Sequence, residues 1–182
     1  RLMKLFLDSA ETDEISEGLA HWDIDGITTN PRHIATAGKP RLTVLQEIAD
    51  LVQGTDKPVS VEVDPHLQRW EEMVEAARKL AAMSPNFVIK LGASEDAYRA
   101  VRELAAEGIR TNLTLVFSIS QAWHAARSGA AFVSPFVGWK EQHGDDGLDL
   151  IADIATMLAM HSYSTEIIAA AIRNPRQIGH AA

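Results

Sequence analysis

Residues 86–117 read NFVIKLGASEDAYRAVRELAAEGIRTNLTLVF, and this stretch decides the fold. Asn86–Leu91 and Thr111–Phe117 are short, β-rich apolar runs, while Glu95–Glu107 between them carries apolar residues at a spacing near 3.6. Ser94 precedes an acidic first turn, Glu95 and Asp96, which suits the positive end of a helix, and Gly108 falls where that helix should stop. Two strands joined by a helix of this length imply parallel neighbours, because parallel pairing requires a long crossover.

The alternation continues on both sides. Further runs are Met3–Asp8, Gly26–Thr29, Pro58–Asp64, Ala131–Val137 and Glu166–Ile172, and further helical patterns include Leu42–Gln53, Trp70–Met83, Ser118–Arg127 and Leu148–Met160. The runs are almost continuously apolar, as expected of strands buried on both faces. An open doubly wound sheet and a (β/α)8 TIM barrel both fit this pattern. Neither G-x-G-x-x-G nor G-x-x-x-x-G-K-[ST] follows the first run, so the phosphate-cradling signature of a dinucleotide or P-loop fold is missing. Polar residues at strand ends favour the barrel. Asp8, Asn30, Glu62, Lys90, Asn112, Thr114 and Ser134 come from six different strands and would converge on one mouth. Seven strands are found before Ala182, so the expectation is one barrel domain over residues 1–182 lacking its eighth strand and final helix.

Composition narrows the function classes. The 182 residues hold 25 Asp and Glu against 17 Lys and Arg, a net charge of −8, and lack the dominant basic surface of a sequence-tolerant nucleic-acid binder. With no cysteine, disulfides, thiolate catalysis and cysteine metal sites are excluded. No apolar stretch reaches the roughly 20 residues that span a bilayer, and no secretory signal opens the chain, so a soluble cytoplasmic protein is expected. The seven histidines show no H-x-H or H-E-x-x-H spacing, and Asp145, Asp146, Asp149 and Asp153 lack calcium-loop order. No metal or other cofactor is expected.

Lys90 is the most informative residue. A lysine closing an apolar run of a central strand is expected to be buried, which disfavours its ammonium form and frees a nucleophilic amine for Schiff-base chemistry. The competing reading is a lysine that snorkels from the strand end to an ion pair. Asp8 can be a helix cap or a partner for Lys90, and Glu62 an ordinary ion-pair residue. Asn and Ser at strand ends can hold a ligand or satisfy loop backbone groups.

In order along the chain, Phe6-Leu7-Asp8-Ser9, Gly26-Ile27-Thr28-Thr29-Asn30-Pro31, Val59-Ser60-Val61-Glu62-Val63, Val88-Ile89-Lys90, Thr111-Asn112-Leu113-Thr114-Leu115-Val116-Phe117-Ser118 and Val133-Ser134-Pro135-Phe136-Val137-Gly138 resemble the strand motifs of transaldolases and the small fructose-6-phosphate aldolases. The resemblance runs from about Met3 to Ile178. It implies carbohydrate metabolism, with the pentose phosphate pathway as the familiar setting, and a metal-free mechanism on a sugar or sugar phosphate. Lys90 would form the imine, Asp8 would take a proton from the hydroxyl beside the breaking bond, and Glu62 would handle protons through a water held with Thr114. Thr28, Asn30, Asn112, Ser134, Phe136 and Arg173 would line the substrate site. A homo-oligomer is also implied.

Glu62 and Phe136 follow the transaldolase pattern, because the aldolases typically carry Gln and Tyr at these positions. The phosphate site departs from the family. Its F-V-G-R motif is Phe136-Val137-Gly138-Trp139 here, Arg173 matches a second arginine, and Ala171 replaces an expected serine. Arg32 or Lys140 would compensate, or Trp139 would stack on an unusual substrate; the plain alternative has Trp139 packing under its loop and Arg32 solvated. Three activities stay open: a transaldolase, an aldolase releasing dihydroxyacetone, and a non-catalytic sugar-binding barrel.

Overall fold

The computed structural model describes residues 3–144 and 147–181. Seven strands lie in sequence order in one sheet, every neighbouring pair parallel: β1 (Phe6–Asp8), β2 (Gly26–Thr28), β3 (Val59–Glu62), β4 (Phe87–Gly92), β5 (Thr111–Val116), β6 (Phe132–Pro135) and β7 (Glu166–Ile167). The helices are α1 (Thr12–His21), α2 (Pro31–Thr36), α3 (Arg41–Val52), α4 (Trp70–Ala81), α5 (Glu95–Ala106), α6 (Ile119–Ser128), α7 (Val137–Gln142), α8 (Gly147–Met160) and α9 (Pro175–Ala181). The sheet curls until its two ends approach. Lys4 Nζ lies 2.9 Å from the Glu166 carboxylate, and the Phe6 and Phe132 rings meet edge-on at 6.1 Å. This is the (β/α)8 barrel architecture with seven strands among the described residues. An apolar cavity of about 750 Å³ lies in the seam between β1 and β7, lined by Leu5, Phe6, Phe132 and Ile167.

Alternation along the strands separates a packing face from a lumen face. Ile27, Val59, Val61, Ile89, Leu91, Leu113 and Val133 belong to the hydrophobic core, joined by Ile15, Leu45, Ile48, Val74, Leu104, Ala122, Ala125 and Ile154 from the helices. Fully burying one such aliphatic side chain contributes about 1.5–3 kcal/mol. The intervening residues Thr28, Ser60, Glu62, Lys90, Asn112, Thr114 and Ser134 face the lumen. A single chain period thus builds the core on one side and the site on the other.

Local signals work as expected around α5. Ser94 accepts a hydrogen bond from Ala97 N at 3.1 Å, and Gly108 takes φ +76° just after the helix. Ser118 caps α6 in the same way, and Gly129 ends it in the left-handed region. Ser94→Ala is expected to cost about 1 kcal/mol, lowering Tm by about 2–4 °C in a chain of this size. Thermal unfolding checks it, and Ser94→Asp should restore the loss.

Some boundaries differ from the sequence reading. β1 begins at Phe6 rather than Met3, and β7 ends at Ile167, followed by an isolated bridge from Ala170 to Phe136. Each pairs on one side only among the described residues, which shortens its ladder. Val137 leaves its strand to start α7. Of the acidic residues near α8, Asp145 and Asp146 lie outside the described residues. No group of three potential metal ligands occurs among the described residues, and no described helix is long and apolar enough to cross a membrane.

Candidate active site

Register brings the lumen side chains together. Glu62 pairs with Lys90 and Lys90 with Asn112 across β3, β4 and β5, so the three stand side by side on one face. Lys90 Nζ donates to the Thr29 carbonyl at 2.8 Å and lies 3.4 Å from Glu62 Oε2. Both side chains are nearly buried, at 11 % and 12 % exposure, so the amine neither snorkels to bulk water nor stands alone. Arg41 Nη2, at the start of α3, donates to the main-chain carbonyl of Glu62 and anchors the end of β3.

A buried polar chain runs on from Asn112. Asn112 Nδ2 donates to Ser60 Oγ at 3.1 Å, and Ser134 Oγ donates to Asn112 Oδ1 at 2.9 Å. These bonds fix which end of the Asn112 amide donates, and they tie β3, β5 and β6 together inside the lumen. Thr114 is two residues beyond Asn112 on the same face, buried, and paired with Gly92. Just after it, β5 bulges: Leu115 adopts φ +56° and the pairing with β6 shifts between Leu113 and Val116. A non-glycine residue in the left-handed region at a strand end is strained, and such bulges re-aim side chains near sites.

Asp8 and Thr28 are register partners on β1 and β2, and Thr28 Oγ1 donates to Asp8 Oδ1 at 2.9 Å. His33 Nε2 stands 3.3 Å from Asp8 Oδ2. Asn30 is the N-cap of α2, its side-chain oxygen accepting from His33 N at 3.0 Å. Its amide oxygen therefore satisfies backbone, which leaves the amide N–H₂ to meet a ligand.

Phe136 follows β6, its ring 5.7 Å from Phe117, and its main chain is held between Val116 and Ala170. Trp139 stacks on His143 at 3.9 Å and leans on Phe117 at 4.6 Å, yet stays 42 % exposed. It therefore packs within its loop and also offers a ring to solvent. Arg173 comes to the same corner: a Cβ on Gly138 would lie 2.7 Å from Arg173 Cγ and 2.3 Å from the Ala171 carbonyl oxygen, so glycine is required for this approach. Arg32 is exposed in the first turn of α2.

The structure thus gathers Lys90, Glu62, Asn112 and Ser134 through contacts and register, pairs Asp8 with Thr28 at the ends of the first two strands, and sets Phe136, Trp139 and Arg173 beyond β6 and β7. It also adds residues that sequence reasoning missed: Thr29, Ser60, His33 and Arg41. Ser60 had a usable signal, since it stands two residues before Glu62 and so on the same strand face.

Comparison with known proteins identifies the family. The family model described as Transaldolase/Fructose-6-phosphate aldolase matches residues 5–182. A protein named 6-deoxy-6-sulfo-D-fructose transaldolase, from Priestia megaterium, is 53 % identical over 181 residues, covering 99 % of this chain and 80 % of its own length. A probable transaldolase from Caulobacter sp. (strain K31) is 46 % identical over 180 residues, covering 99 % of this chain and 81 % of its own. A motif set on consecutive strand ends, a lumen built from it and likeness at this level lead to one conclusion: the chain belongs to the transaldolase/fructose-6-phosphate aldolase family and is an enzyme of the transaldolase type.

Proposed function

We propose that the protein moves a dihydroxyacetone unit from a ketose donor to an aldose acceptor through an imine on Lys90, and that the far end of its donor carries a sulfonate. The observation that carries the first part is the buried Lys90 Nζ, 3.4 Å from Glu62 and in register with Asn112. The amine lone pair attacks the ketose carbonyl carbon, and water leaves with the carbonyl oxygen to give a protonated imine. Glu62 carries protons in that step and in the later hydrolysis, with Thr114 holding the water. Asp8 then removes the proton of the hydroxyl beside the scissile bond. The electrons of the carbon–carbon bond flow into the imine, leaving an enamine on Lys90 and a free aldehyde. Addition to an acceptor aldehyde reverses these steps, and Asp8 returns its proton to the new hydroxyl.

The second part rests on charge matching. A phosphate ester carries about −1.5 to −2 at pH 7, whereas a sulfonate is a monoanion, so a site with fewer guanidinium groups suits the sulfonate better. Here Trp139 stands where the family motif has arginine, Ala171 where it has serine, and Arg173 remains. Relatives named for a sulfonated fructose, at 53 % identity, support the same reading. Steady-state kinetics with 6-deoxy-6-sulfo-D-fructose and fructose 6-phosphate test it. The expected result is a kcat/KM at least about tenfold higher for the sulfonate; equal values, or a preference for the phosphate, would overturn it. Because Phe136 has no hydroxyl to protonate the enamine, product should form only when an acceptor aldose is present. Free dihydroxyacetone accumulating without an acceptor would favour the aldolase reading.

A further inference from the structure

Asp8 ends β1 with its side chain 62 % exposed. A short carboxylate in that position is free to change rotamer unless neighbours hold it. Two do, one on each oxygen. Thr28 Oγ1 donates to Oδ1 at 2.9 Å, and His33 Nε2 lies 3.3 Å from Oδ2. Thr28 is placed by strand register. His33 is placed by the start of α2, where Pro31 presets the first helical turn and Asn30 Oδ1 captures the His33 main-chain N–H at 3.0 Å. Asn30-Pro31-Arg32-His33 thus works as a bracket that swings one imidazole back over the end of β1.

We propose that His33 is a positioning residue for Asp8. In the tautomer with hydrogen on Nε2, the imidazole donates to Oδ2. With Oδ1 held by Thr28 and Oδ2 by His33, the carboxylate plane is fixed at the end of β1. The proton of the substrate hydroxyl is then taken without a preceding rotation. This inference deepens the proposed reaction and rests on the assignment of Asp8 as its proton acceptor.

Three variants, His33→Ala, His33→Gln and Asp8→Asn, are compared by two readouts with a ketose donor. One is borohydride trapping of Lys90, which reports imine formation; the other is aldehyde release, which reports bond cleavage. His33→Ala should lower kcat for cleavage about tenfold, the size expected of a misaligned reacting group. KM and the trapping rate should stay within about twofold of wild type, since substrate binding and imine formation do not pass through His33. His33→Gln, whose amide N–H can reach the same oxygen, should recover most of the loss. If His33→Ala fails to fold, His33→Met, of similar bulk and without a donor, takes its place beside Gln. Wild-type kcat in the donorless variant, equal impairment by Gln, or a change confined to KM would overturn the proposal. Loss of cleavage in Asp8→Asn with normal His33 variants overturns the role of His33 alone. Normal cleavage in Asp8→Asn overturns the assignment of Asp8 and the role of His33 with it.

Discussion

Lys90→Arg and Lys90→Met should each lower kcat/KM by about 10⁴-fold or more, the scale seen when a covalent nucleophile is removed. Arginine keeps a cation beside Glu62, but it does not lose its proton in a protein and cannot attack a carbonyl. Methionine fills the same space with no charge. The pair of variants therefore separates nucleophilicity from electrostatics: equal loss in both assigns the effect to the missing amine. Of the six lysines, Lys90 is the one that is buried. Lys4, Lys39 and Lys79 sit in surface ion pairs with Glu166, Glu47 and Glu75, and Lys57 donates to the Ile24 carbonyl. Borohydride reduction with a ketose should consequently label Lys90 and leave both variants unlabelled. Adduct at wild-type level in Lys90→Arg would move the reaction to another lysine and undo the mechanism. Stability must be followed alongside. Lys90→Met strands Glu62 and the Thr29 carbonyl without their partner, a loss on the order of 3 kcal/mol for a buried pair. Lys90→Arg should cost less, so activity lost in the better-folded variant cannot be ascribed to unfolding.

The unit from β4 to β5 was legible because several levels of the sequence agree there. The apolar runs have strand length, the helix between them has a single buried stripe, and Ser94 and Gly108 mark its ends. The short elements carry less of this agreement. α2 has six residues with Ile34 alone buried, and α7 is built around Gly138, so periodicity has nothing to act on. The site divides in a similar way. Lys90, Glu62, Asn112 and Ser134 stand out as polar residues in apolar strands, where burial without a purpose is costly. The partner of Lys90 at 2.8 Å, however, is the main-chain carbonyl of Thr29, which every residue possesses and no side-chain pattern reports. Arg41 reaches the Glu62 carbonyl from a helix start distant in sequence, and Leu115 bends β5 with a residue type that gives no sign of positive φ. His33 was legible only in part: Asn30-Pro31 marks a capped helix start, but not that the third residue of that helix would lean back on Asp8.

Asp8→Asn is the second change expected to have a large effect, and it isolates cleavage from imine formation. Asparagine has the shape of aspartate, and its side-chain oxygen can still accept from Thr28 Oγ1, so the end of β1 should keep its geometry. What it cannot do is take a proton from a hydroxyl. Removal of a general base costs about 10²–10⁴-fold in rate, and that range is expected for release of the aldehyde from the donor. The imine should still form, because the proposed mechanism assigns attack by Lys90 and loss of water to Glu62, 3.4 Å from the amine. The variant should therefore accumulate substrate as a borohydride-reducible adduct on Lys90 while releasing almost no aldehyde. Intact mass after reduction then distinguishes the full ketose from the three-carbon unit left after cleavage: the variant should carry the former, the wild-type enzyme chiefly the latter. An adduct of three carbons in Asp8→Asn would show that another group accepts the proton. No adduct at all would place Asp8 in imine formation rather than in breaking the bond. Glu62→Gln should display the opposite pattern, slow trapping followed by cleavage of whatever imine forms, because the proposed mechanism gives its carboxylate the steps before and after the carbon–carbon bond is broken. In the proposed mechanism, two carboxylates on separate strands, one buried beside the amine and one exposed at the end of β1, divide the proton transfers by position.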